Sequence, residues 1–83
     1  MNARKLAGWL KEALRFHKAG RLDKARPLYE QVLRYAPGEP HALHGLGVLC
    51  NDSGESARAV ELLRAAVAAR PDSAVYHNNL GNA

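Results

Sequence analysis

Apolar residues along this chain recur at intervals of three and four, the spacing that gathers side chains onto one side of a helix. From the amino terminus Leu6, Trp9, Leu10, Ala13, Leu14 and Phe16 follow that rhythm, and Leu22, Ala25, Leu28, Tyr29, Val32 and Leu33 take it up again. Leu43, Leu46, Gly47 and Cys50 form a third set, and Val60, Leu63, Ala66 and Val67 a fourth. The pattern and its punctuation predict helices over about 4–19, 23–36, 40–53, 57–70 and 74–83. Ala and Leu dominate the apolar residues, which favours close-packed helices over sheets.

Shifting the chain by 34 residues superimposes Gly20 on Gly54, Ala25 on Ala59, Leu28 on Leu62 and Pro37 on Pro71, and Leu46-Gly47 on Leu80-Gly81. The coincidences fall on residues with defined work. Gly20 and Gly54 can take the left-handed conformation that closes a helix end. Asp23 and Ser56 then stand where a side-chain oxygen could cap the following helix, with Pro27 in its first turns. Pro37 and Pro71 stop the second helix of each pair, because the residue before a proline avoids helical angles. Ala13, Ala25, Gly47, Ala59, Ala66 and Gly81 are small enough to be the points where helices touch.

A 34-residue unit of two antiparallel helices, carrying Trp9, Ala13, Phe16, Gly20, Ala25, Tyr29 and Pro37 in order, resembles a tetratricopeptide repeat. The second unit, with Leu43, Gly47, Cys50, Gly54, Ala59, Leu63, Ala66 and Pro71, is similar but has Leu and Cys where the pattern has large aromatics. The resemblance implies an all-α fold: antiparallel helix-turn-helix pairs stacked as an α-solenoid. It divides a single domain into repeats at about 6–39 and 40–73 and a partial repeat at 74–83. Two full repeats and the first helix of a third are expected, the ending YHNNLGNA opening a unit whose second helix is missing. The chain therefore reads as the amino-terminal part of a longer protein.

Size and charge narrow the function. At 83 residues a single core is marginal and a buried catalytic cleft would be cramped. The net charge of +4 is uneven: residues 1–37 hold nine basic side chains against three acidic ones, and residues 38–83 three against five. A basic first half could steer an acidic partner, but solvation of outer helix faces by Lys and Arg is the preferred reading and no nucleic acid is expected. No stretch approaches a membrane span or the apolar core of a signal peptide. Cys50 is the single cysteine, which excludes an intrachain disulfide and fits a reducing, cytoplasmic setting.

Chemistry is hard to place. His41 and His44 lie three apart on a helix, but Cys50 points roughly 240° away from His44 and cannot readily join them at a metal. Cys50 falls on the apolar stripe where Phe16 stands one repeat earlier, so it is expected in the core. No catalytic residue, metal or cofactor is assigned, and the chain itself is not read as an enzyme.

In the family that the chain resembles, the first helix of each pair lines a concave surface that receives an extended peptide or partner helix. The resemblance implies a groove of Ala7, Leu10, Leu14, His17 and Lys18, then His41, His44, Val48, Asn51 and Asp52, then Val75, Asn78 and Asn82. Leu10 and Leu14 stand where co-chaperones that clamp a terminal carboxylate carry Lys and Asn, so that clamp is not expected. The phrase HNNLGNA, with Asn79 and Asn82, is similar to repeats of O-GlcNAc transferase and SPINDLY-like proteins, whose asparagine ladder grips substrate backbone. At the equivalent of Asn79 the earlier repeats have Gly45 and Lys11. Three readings follow: a protein-interaction module, the substrate-recruiting part of a glycosyltransferase, and a self-association module. For the last, Val75, Tyr76 and Leu80 lack a covering helix and predict a homodimer.

Overall fold

The computed structural model describes residues 3–82, apart from the side chains of 79, 80 and 82. Among the described residues five helices follow one another: α1 (Ala3–Lys18), α2 (Leu22–Tyr35), α3 (Pro40–Asp52), α4 (Ser56–Ala69) and α5 (Ala74–Asn82). Each described boundary lies within one residue of the expected one. Ala83, placed in the last helix by the periodicity, is outside the described residues.

Two turns set the fold. Gly20 and Gly54 take φ of 77° and 82°, left-handed values that cost glycine nothing. After α1 the Arg21 N–H donates to the Phe16 carbonyl and the Gly20 N–H to that of His17. After α3 the Glu55 N–H donates to Cys50 and the Gly54 N–H to Asn51 in the same arrangement. Both are Schellman closures, which satisfy the last carbonyls and reverse the chain within three residues.

The expected caps at Asp23 and Ser56 are not formed. The turn runs directly into the next helix, so Arg21 and Glu55 occupy the capping positions and neither makes a side-chain cap bond. Asp23 and Ser56 sit inside the first turn instead. Side-chain caps do appear where the chain arrives from the proline turns: Glu39 accepts from the Ala42 N–H at 2.7 Å, ahead of Pro40, and Ser73 Oγ from the Tyr76 N–H at 3.3 Å.

α1 packs on α2 and α3 on α4 as the tightest pairs, with α3 also against α2 and α1, and α5 against α4. The helices therefore form two layers, α1, α3 and α5 in one and α2 and α4 in the other. Ala13, Ala25, Ala42, Ala59 and Ala66 are fully buried, so backbones approach closely around them. A side chain on Gly47 would come within 2.8 Å of the Leu63 side chain. Gly81, also expected at a contact, is exposed and faces open space. The second layer is tied across repeats by charge: Arg26 donates to both oxygens of Glu55, at 2.5 and 2.9 Å, and Glu30 lies 3.5 Å from Arg26 and 3.8 Å from Arg58. The guanidinium holds the Glu55 carboxyl below the usual carboxylate range.

Candidate binding face

The layer of α1, α3 and α5 carries most of the expected groove residues, and two buried tyrosines organise them. Tyr29 of α2 is fully buried with its ring tip against the backbone of Gly45, where any side chain would overlap it. Its hydroxyl is hydrogen-bonded to His17 Nδ1 at 2.9 Å, and the two rings meet edge to face at 5.7 Å. Burial pushes the phenol up to about 12, so it keeps its proton at any ordinary pH. Tyr76 of α5 repeats the theme from the other side. Its ring stacks on His44 at 4.6 Å, and its hydroxyl lies 3.3 Å from His41 Nδ1.

His17 of α1 and His41 and His44 of α3 are thereby positioned on this layer by Tyr29 and by Tyr76 of α5. Burial lowers the His44 pKa first, and the charges of His17 and His41 lower it further. His44 is accordingly neutral at neutral pH, an amphipathic ring rather than a cation. His77 lies apart from this group, its Nε2 2.7 Å from the Pro71 carbonyl. Among the described residues no three of His, Cys, Asp and Glu converge as a metal site would require. Cys50 is fully buried, as its place on the apolar stripe predicted, and burial pushes its thiol up, away from the reactive thiolate.

The remaining groove residues divide by exposure. Leu10 is half-buried against the core, and Val48 and Asn51 are half-buried on α3. Ala7, Leu14, Lys18, His41, Asp52, Val75 and Asn78 are exposed, Leu14 at 40% and Val75 at 59%. The side chains of Asn79, Leu80 and Asn82, and with them the start of an asparagine ladder, lie outside the described residues. Tyr76 differs from expectation. Instead of waiting uncovered for a partner it is only 6% exposed, packed with Leu43 and Ala66. The 34-residue register contained the signal, since Tyr76 falls one repeat after the buried Ala42. Lys11 and Arg15 were also missed as part of this surface. With Leu14 and Lys18 they line a shallow depression of about 400 Å³ along α1.

Antiparallel helix pairs reversed by glycine turns and stacked in two layers define a helical-repeat solenoid. More narrowly, the chain belongs to the tetratricopeptide repeat family, whose model, described as Tetratricopeptide repeat, matches residues 16–81. It is 43% identical over 58 residues to a TPR repeat-containing protein of Pseudomonas aeruginosa, a match that covers 70% of this chain and 23% of that protein. Among solved structures it is similar to a mutant O-GlcNAc transferase of Thermobaculum terrenum, with a TM-score of 0.93 and 38% identity over 96% of this chain and 15% of that one. The chain thus spans less than a quarter of the length of either protein. Among the described residues no helix is long and apolar enough to cross a membrane.

Proposed function

We propose that the face built by α1, α3 and α5 binds an extended segment of a partner protein, the chain acting as a non-catalytic recruiting module. The observation that carries this reading is the row His17, His44, Tyr76 and His41. Three successive first helices contribute to it: His17 is held by the Tyr29 hydroxyl, and His44 and His41 by the ring and hydroxyl of Tyr76. Polar ring edges and amides alternating with Leu14 and Val48 suit hydrogen bonds to a peptide backbone flanked by apolar contacts. The repeat units are taken as 6–39, 40–73 and 74–83, with Leu10, Leu14, His17, Lys18, His41, His44, Val48, Asn51, Asp52, Asn78 and Asn82 as contact residues. The compartment in this reading is the cytoplasm, in keeping with a free, buried Cys50.

Titrating the isotopically labelled chain with mixed unstructured octapeptides tests the site. Amide shifts at His44, Val48 and Asn51 are expected. Shifts confined to the opposite layer, at Arg34, Arg58 and Arg64, would overturn the assignment.

A second reading is favoured by the likeness to the O-GlcNAc transferase structure over nearly the whole chain. In it the repeats bring protein substrates to a glycosyltransferase domain further along the same polypeptide. Reading the parent gene past Ala83 decides it, since an open reading frame without such a domain removes the idea. Of the three residues on which a homodimer through α5 was expected to rest, Tyr76 is covered, Val75 is exposed and the side chain of Leu80 lies outside the described residues. Sedimentation as a monomer at high micromolar concentration would dismiss it.

A further inference from the structure

One side of α1 departs from the amphipathic mixture of the rest of the layer. Lys11, Leu14, Arg15 and Lys18 follow at intervals of three, four and seven, which places them in one row, and they line the same shallow depression. Both lysines are exposed, and among the described residues neither lies within ion-pair distance of a carboxylate. Arg15 is occupied differently. It meets Glu12 at 2.6 Å, and its guanidinium lies 4.7 Å from the centre of the Phe16 ring. The row therefore offers two ammonium groups with an exposed leucine between them, within the half of the chain that holds nine basic and three acidic residues.

Resting on the reading of this layer as a peptide-binding face, we propose that its occupant is an acidic segment with an apolar residue between two carboxylates. Lys11 and Lys18 are separated by seven helical residues, roughly 10 Å along the axis. An extended chain advances about 3.1–3.3 Å per residue, so carboxylates three residues apart span that distance. The side chain between them covers Leu14, removing from water the apolar surface that solvation of two lysines does not explain. A nucleic acid would meet the charges but not the leucine, and no aromatic ring stands in the row to stack a base.

The test is fluorescence anisotropy with three labelled peptides: one containing Asp-Ala-Leu-Glu, its Asn-Ala-Leu-Gln counterpart and its Lys-Ala-Leu-Lys counterpart, with a single-stranded oligothymidylate as the competing polyanion. The acidic peptide is expected to bind about tenfold more tightly than the neutral one at low salt, an advantage that shrinks as salt screens the contacts. Exchanging both charges, K11E with K18E, should abolish that preference and transfer it to the basic peptide. Leu14→Ala should weaken the acidic and neutral peptides together. An unchanged helical signal and melting midpoint certify that the variants fold, and K11Q with K18Q serves if the charge reversal does not.

Equal affinity for the acidic and neutral peptides overturns the acidic preference while leaving the peptide-binding face intact. Oligothymidylate binding more tightly than the acidic peptide overturns a protein occupant. Failure of every peptide, with no amide shifts on α3, overturns both readings.

Discussion

At the scale of the residue, two glycines on one helix do different work. Gly47 is legible in sequence because the 34-residue shift pairs it with Gly81 and places it where Ala13 stands in the first repeat. Gly45 is not, since the same shift sets it against Lys11 and Asn79, and only the packed ring of Tyr29 shows why a side chain is excluded. That ring is fully buried and hydrogen-bonded to His17, so it cannot swing aside without breaking the bond. Gly45→Ala is therefore expected to destabilise the fold by about 1–2 kcal/mol net, overpacking outweighing the roughly 1 kcal/mol by which alanine favours a helix. Putting leucine at Tyr29, the residue its repeat equivalent Leu63 already has, should recover part of that loss in a double-mutant cycle. A single variant melting at or above the parent would sink the account.

At the scale of the element, helix positions were readable nearly throughout because α1 to α4 are each written twice, as apolar periodicity and as a glycine or proline stop. The way helices begin was less so. A Schellman turn that feeds the next helix leaves no room for a separate capping residue, which is why Asp23 and Ser56 fall inside and the caps form at Glu39 and Ser73. The docking of α5 was the other surprise. Tyr76 joins α5 to α3 by stacking on His44 and reaching His41, and this contact makes the junction sensitive to pH. His44 faces Tyr76 and feels His17 and His41, and its pKa in the folded chain is lowered. The unfolded chain then binds the proton more readily, so stability is fully present above the unfolded histidine value of about 6.5 and is lost as pH falls below it. The thermal midpoint of the parent should drop between pH 7 and pH 5. Phenylalanine at His44 keeps a ring against Tyr76 but cannot charge, so His44→Phe should flatten that decline. Equal slopes for the two proteins would show that His44 does not carry it.

At the scale of the whole molecule, a stack of repeats has no single centre and each helix is held chiefly by its neighbours. α3 is the exception within this chain, because it touches α1, α2 and α4 and buries Ala42, Leu43, Gly45, Leu46, Gly47, Leu49 and Cys50. α1 at one end buries Ala13 alone, and α5 at the other is anchored through Tyr76. Local opening draws on the contacts that must be broken, so its cost should grade from the ends of the stack toward α3. Native-state amide exchange is expected to be slowest in α3 and the facing turns of α2 and α4. It should be faster in α1, and fastest in α5, whose amides open without disturbing the rest. The proposed binding face draws on both regimes. His44 and Val48 sit on the helix expected to be most protected, whereas Leu14, Lys18 and Asn78 sit on helices expected to open separately. A bound peptide spanning α1 to α5 should therefore slow exchange most in the two outer helices and little in α3. Uniform protection across all five helices, unaltered by the peptide, would mean that the chain opens as one unit and that the repeats are not energetically separable.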